Sequence, residues 1–241
     1  MMIKVAFLPV LFLFLKNGTA YEVVKISNGG IITGTVKYSG MRYKDTLVKV
    51  GTHAEYCGEW VNPGRLIVSD DSGIKWVAVM IKRIEKGKEF DSTPMFLVHN
   101  INCRFEPRVS IIKERLPITI KNSDRIPHRA KFGLRDSTGW ISNFMAIAVP
   151  WSEKEIPVKR LINHTGLVSI AGIIHPFEQG WVWKLPHPYA AVTDTDGKFR
   201  ISNIPEGIYE ILIWHEFLGE QNKTVMVRRG ETSLINISFK N

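Results

Sequence analysis

Apolar and polar residues alternate with period two along much of the chain. Ile32, Val36 and Tyr38 interleave with Thr33, Thr35 and Lys37, Ile118 and Ile120 flank Thr119, and Ile235, Ile237 and Phe239 interleave with Asn236, Ser238 and Lys240. Half-buried antiparallel strands produce this pattern. Turn clusters punctuate it: Asn62-Pro63-Gly64, Thr193-Asp194-Thr195-Asp196-Gly197 and Ile204-Pro205-Glu206-Gly207. Only the stretch 151–163 suits a short helix. The pattern therefore predicts an all-β, sandwich-like chain.

The C-terminal portion is the most legible. Asp196-Gly197 suits a tight hairpin turn that needs a positive φ. On the long strand that follows, Tyr209, Ile211, Ile213 and His215 share one face, and Leu212 and Trp214 share the other. Apolar bulk on both faces predicts that this strand packs on its own core and on a neighbouring unit.

The apolar run Val5–Leu15 follows a short basic start and is too short to span a bilayer, which takes about 20 residues. It fits a secretory signal that ends near Ala20. Removing residues 1–20 would leave 241 − 20 = 221 residues, a length that suits two compact β domains. No later segment reads as transmembrane. The net charge is +9, and removal of Lys4 and Lys16 with the signal gives 9 − 2 = +7. A basic exported chain meets anionic lipid, acidic polysaccharide or acidic protein first. Nucleic-acid-binding motifs are absent, so no nucleic-acid partner is expected. The two cysteines, Cys57 and Cys103, invite one disulfide in an exported chain, the alternative being two separate thiols. No Gly-x-Ser-x-Gly, His-Glu-x-x-His or phosphate-cradling glycine loop occurs, and no enzyme activity is expected.

Several motifs carry resemblances. The segments "GTVKYSG" (Gly34 to Gly40), "TDTDGKF" and "PEGIY" resemble the carboxypeptidase regulatory-like, or transthyretin-like, β-sandwich. That resemblance implies a first strand or strands within 21–50, the remainder in 187–241, and an inserted unit over 51–186. In and around the insert, "YCGEW", "CRFEPRV", "KNSDRIPH", "HPF", "HPYAAVTD" and "WHEFLGEQ" occur in one order. They resemble periplasmic cupredoxin-like proteins, of the plastocyanin-like and methylamine utilisation protein-like kind. The two resemblances together imply two Greek-key β-sandwiches, a cupredoxin-like domain over 51–186 inserted in or packed on the transthyretin-like one. A periplasmic or secreted location follows from this likeness.

The resemblance also implies a ligand set. His128 matches the first copper ligand, after its Asn-Ser-Asp turn, and His175 matches the loop histidine. The cysteine position falls on Gly172 and the methionine position on Glu178. A blue copper centre needs a thiolate, so the site is expected to be degenerate. The leading expectation is a non-catalytic periplasmic binding or interaction module. The alternative is a non-blue Cu(II) or Zn(II) protein that uses His128, His175 and Glu178. The cofactor is thus none, or one such ion. A second alternative is a glycan-binding accessory module.

Arg125, Arg129 and Lys131 crowd His128 in sequence. They would penalise a metal there, and they would suit an acidic periplasmic protein or an anionic surface or glycan. His187, Trp214, His215 and Glu216 fall in motifs the family shares, and they read as packing and hydrogen-bonding groups at a domain junction. Trp181 and Trp183 share one strand face, which suits interface packing or, less commonly, sugar stacking. His53, His99 and His164 read as isolated, exposed residues.

Overall fold

A computed structural model describes residues 20–41, 43–91, 96–136, 139–148 and 152–240. Apart from Ala20, the expected signal segment lies outside these residues. The chain is all-β and multi-sheeted, with one four-residue helix at Ala54–Cys57 and one 3-10 turn at Lys159–Leu161 among the described residues. No helix of the described residues is long and apolar enough to cross a membrane.

Two pairs of sheets organise the chain. In the terminal pair, one sheet runs in the order Ala190–Val192, Ala78–Ile81, Gly207–His215, Gly219–Val227. Its partner places Gly30–Tyr38 between Lys198–Ile204 and the short strands Thr232–Leu234 and Ile237–Phe239. Ile32, Val36, Val79, Ile81, Phe199, Ile211 and Ile213 form the core between them. Gly197 has φ 74 in a tight turn closed by Gly197 N donating to Asp194 O at 3.1 Å. The turn is not the expected hairpin, because the strands it joins, Ala190–Val192 and Lys198–Ile204, belong to different sheets.

The central pair holds the candidate chemistry. Its four-stranded sheet runs Ser152–Val158, Ile118–Asn122, Phe96–Ile101, Arg104–Glu106. Its five-stranded sheet runs Gly139–Ala148, His128–Asp136, Gly166–Gly172, Gln179–Leu185, Val109–Lys113. Val98, Phe105, Ile118, Ile120, Phe132, Val168, Ile170 and Val182 fill the space between these sheets. The helix expected over 151–163 is instead the strand Ser152–Val158 and the single 3-10 turn after it. Pro157 lacks the N–H a helix interior needs. Ile156 and Val158 pair with Ile120 and Ile118, so cross-strand packing decides the conformation.

Strand Ala78–Ile81 lies within the segment 51–186 expected for the insert, yet it hydrogen-bonds to Gly207–His215 and Ala190–Val192. All four of its residues are buried. Val79 and Ile81 enter the terminal core, while Ala78 and Met80 face the central pair. Hydrogen bonding thus assigns this strand to the terminal sheets.

The long C-terminal strand is two-faced, as its sequence predicts. Ile211 and Ile213 enter the terminal core, and Leu212 and Trp214 join Val109, Leu167 and Leu185 in a cluster between the sheet pairs. The Trp214 ring meets Trp181 and Trp183 edge-on, at 5.4 and 5.8 Å. Beside them Arg108 makes a buried bidentate pair with Glu216 and donates to Pro63 O at 2.9 Å. Removing one partner of such a pair leaves a buried charge and typically costs about 3–5 kcal/mol. His215 stays in the same region, its Nδ1 accepting from the Phe217 and Leu218 N–H groups. His187 is buried beside Tyr21 and Tyr189.

Burial lowers the pKa of His187 to about 4. Burial and then the Arg108 charge lower that of His215 to about 4. Both rings are neutral in the folded chain at pH 7. On acidification the unfolded chain binds protons first, from about pH 6.5, so stability falls from there down to about pH 4. Each residue withdraws on the order of 3 kcal/mol across that window. Denaturant unfolding at stepped pH is expected to show this slope, and His215→Gln is expected to reduce it. An unchanged slope in His215→Gln would count against the assignment.

Candidate metal centre

Two neighbouring strands of the five-stranded sheet bring the site together. Ala130 pairs with Gly172, and Ile173 N donates to Arg129 O at 2.7 Å. The turn into His128 and the turn out of Gly172 therefore meet at one sheet end. Asn122 braces the first turn, accepting from Asp124 N and donating to Ile126 O, both at 2.9 Å. The second turn closes with Glu178 N to His175 O and Gly172 N to Glu178 O, both at 3.0 Å.

These turns converge three buried donors. His128 Nδ1 lies 2.7 Å from Glu178 Oε1, His175 Nδ1 lies 3.2 Å from the same oxygen, and the two Nδ1 atoms are 3.3 Å apart. All three residues are 1% exposed. The close approaches to Glu178 are ionic rather than hydrogen-bonded in geometry. Both carboxylate oxygens are buried with no hydrogen-bond partner. The His128 imidazolium, 2.7 Å away, meets part of this buried carboxylate's need for positive charge.

Each imidazole is held from behind. His128 Nε2 meets Asp124 Oδ2 at 2.9 Å, and His175 Nε2 meets His53 Nδ1 at 3.2 Å. Both rings thus spend Nε2 on an outer partner and aim Nδ1 inward, the arrangement that orients metal-binding histidines. Neither partner was picked out from sequence. His53, expected to be isolated, is half-buried against His175. The loop that carries it is remote in sequence, and only the disulfide gives a hint of its return. The four-residue spacing of Asp124 and His128 was the available signal for Asp124.

Gly172 explains how the carboxylate fits. A Cβ at this position would stand 2.4 Å from His175 O and 2.6 Å from Glu178 Oε2. The Glu178 carboxylate thus occupies the space a side chain at 172 would need. A side chain at 172 would require the His175 carbonyl and the Glu178 carboxylate to shift.

These residues do not fit a blue copper centre. Both cysteines are consumed in the Cys57–Cys103 disulfide, with S–S 2.06 Å, and no free cysteine remains. They do fit a borderline divalent ion. A tetrahedral Zn(II) with bonds of about 2.0–2.1 Å spaces its donors about 3.3–3.4 Å apart, close to the two distances made by His175, 3.2 and 3.3 Å, whereas the His128–Glu178 pair at 2.7 Å would have to widen. Cu(II) also accepts imidazole and carboxylate. The charges agree as well. One imidazolium at His128 offsets one of the carboxylates of Asp124 and Glu178, whereas a divalent ion offsets both.

Burial acts to lower the His128 pKa, but its short pairings with Asp124 and then Glu178 prevail and raise it to about 9. Burial likewise acts to raise Asp124 and Glu178, but His128 holds both below the usual carboxylate range.

The expected repulsion from neighbouring cations is relieved by strand alternation. His128, Ala130 and Phe132 are buried, while Arg129 and Lys131 project to the exposed face. Arg125 is exposed in the preceding turn. A cavity of about 840 Å³ lies away from the histidines, where Phe90, Ile111 and Lys113 face Pro188 and Ala190.

No family model and no curated protein matches the chain. Several solved structures align with part of it. A reduced Cu(I) form of an amicyanin variant has 13% identity over 39% of this chain and 85% of its own, with a TM-score of 0.31. A purple cupredoxin from Nitrosopumilus maritimus has 16% identity over 38% and 99%, with a TM-score of 0.30. A copper-containing nitrite reductase from Thermus scotoductus has 15% identity over 43% and 25%, with a TM-score of 0.30. At these values the alignments carry no function to this chain, and the reading of the site rests on its own residues.

Two outcomes follow from the geometry. Gly172→Ala is expected to lower stability by about 1–3 kcal/mol in denaturant unfolding, as overpacking does; a neutral effect would contradict the described fit. In metal-free protein, the stability lent by His128 is complete below about pH 6.5 and is lost as pH rises through about 9. Glu178→Gln is expected to shrink that alkaline loss, and an unaltered profile would count against the ion cluster.

Proposed function

We propose that the protein is an exported, non-catalytic metal-binding protein that holds one Cu(II) or Zn(II) ion on His128, His175 and Glu178. The observation that carries this reading is the buried Glu178 carboxylate, without a hydrogen bond and facing two inward Nδ1 atoms. In this reading the central sheets are a cupredoxin-like sandwich whose sulfur donors have given way to Gly172 and Glu178. The terminal sheets are a carboxypeptidase regulatory-like sandwich that supports it. The disulfide supports residence in an oxidising compartment, periplasmic or extracellular. Near-complete burial of the donors favours a structural or carrier role over hydrolysis, which keeps an open coordination position.

One observation favours a second reading, a metal-free interaction module. The His128 imidazolium between Asp124 and Glu178 already supplies positive charge to the cluster. Arg129 and Lys131, exposed on the strand that His128 begins, and Arg125 in the turn before it would then serve an acidic protein or an anionic surface or glycan.

Calorimetric titration with Zn(II) and Cu(II), with mass spectrometry for stoichiometry, separates these readings. The metal reading expects one ion per chain, loss of binding in both His128→Ala and His175→Ala, and no intense thiolate-to-copper band. Absence of stoichiometric binding would favour the interaction module. An intense thiolate band would defeat both readings.

A further inference from the structure

The two outer partners of the imidazoles belong to segments far apart in sequence, and one covalent bond joins them. Asp124 is held by the turn Asn102-Cys103. Asn102 N donates to Oδ1 at 2.7 Å and Cys103 N donates to Oδ2 at 2.9 Å. Both turn residues have positive φ, 53 and 56. Two adjacent left-handed residues without glycine cost roughly 1–2 kcal/mol each. Their conformation aims both N–H groups at one carboxylate, which in turn holds His128 Nε2.

His53 stands on the other side of the disulfide. It too has positive φ, 61, and it begins the short helix Ala54–Cys57. Tyr56 N and Cys57 N donate back to His53 O at 3.0 and 2.9 Å, so Cys57 and His53 form one small rigid unit. That unit is secured by a two-residue pairing, Val48–Lys49 with Trp60–Val61, and by a small apolar cluster that includes Cys103 and Phe177. Tyr56 OH also reaches Asp124 Oδ1, at 3.4 Å. The bond Cys57–Cys103 therefore fastens the His53 unit onto the turn that grips Asp124.

We propose that His53 and Asp124 are the positioning residues of the metal centre, and that the Cys57–Cys103 disulfide is the tether that keeps both in place, so that opening it weakens metal binding. This rests on the metal reading given above. Opening needs a dithiol reductant. Its thiolate attacks one sulfur, two electrons pass to the protein sulfurs, two protons complete the thiols, and the reductant leaves as its own disulfide. With the tether open, the His53 unit and the left-handed turn lose their covalent link, and both imidazoles lose their fixed orientation. Outer partners of this kind contribute about 10–100-fold in metal affinity.

The test measures Zn(II) affinity by competition with a chromophoric chelator. It compares full-length oxidised protein with His53→Ala, His53→Gln, Cys57→Ser/Cys103→Ser and His128→Ala. The double serine variant avoids new thiolate ligands that chemical reduction would create. Nitrogen-15 NMR of the imidazoles reads the ring tautomers in metal-free protein. The proposal expects binding weakened about 10–100-fold in His53→Ala and in the double variant. It also expects partial rescue in His53→Gln, loss of binding in His128→Ala, and tautomer exchange at His175 in His53→Ala. Should the double variant fail to fold, the His53 pair and the tautomer signal still decide. Wild-type affinity and a fixed tautomer in His53→Ala, with binding lost in His128→Ala, would overturn the proposal and leave the metal reading standing. No Zn(II) binding by the wild type would overturn both.

Discussion

A carboxylate buried without a hydrogen bond sets the terms for everything around it. Glu178 sits 1% exposed with neither oxygen in hydrogen-bond geometry, and its Oε1 lies 2.7 and 3.2 Å from the Nδ1 atoms of two buried histidines. Desolvating such an anion is expensive unless positive charge lies within contact distance. The lowered pKa of Glu178 and the raised pKa of His128 express that same demand. A proton on His128 meets the demand in part. A divalent ion with neutral imidazoles meets it fully, because Asp124 adds a second carboxylate behind His128.

The fold supplies this arrangement through sheet ends and turns rather than through a pocket. Adjacent strands bring His128 and the Gly172–Glu178 turn together, and alternation sends Arg129 and Lys131 to the opposite face. A side chain at Gly172 would meet the His175 carbonyl and the Glu178 carboxylate. The loop around His53 closes the end of the sheet, fastened by the disulfide and a small apolar cluster. The long strand Gly207–His215 links this unit to the terminal sheets, with Ile211 and Ile213 in one core and Trp214 against the tryptophans of the other. Structural rigidity and donor placement thus share the same short segments.

Much of this was readable in the residues. Period-two alternation gave the strands, and the opposite faces of Ile211 and Leu212 gave the contact between sheet pairs. Motif resemblance pointed to His128, His175 and Glu178, and the structure brings these three together. Other features depended on long-range contacts that periodicity does not encode. Ser152–Val158 looked helical because its pairing with Ile118–Asn122 is not local. Ala78–Ile81 is an apolar run whose partner lies about 130 residues away, at Gly207–His215, so the sheet it joins is invisible locally. His53 looked solitary because its neighbour, His175, lies 122 residues away. The complementarity of Gly172 and Glu178 was legible as a pair of missing ligands. That one makes room for the other needed coordinates.

X-ray absorption at the metal edge, on protein loaded with one equivalent of Zn(II) or Cu(II), reads which atoms surround the ion beside Glu178. The account predicts a first shell of nitrogen and oxygen scatterers at about 2.0–2.2 Å, including imidazole outer-shell features. A sulfur scatterer at about 2.3 Å, or a shell of water oxygens without imidazole, would contradict it.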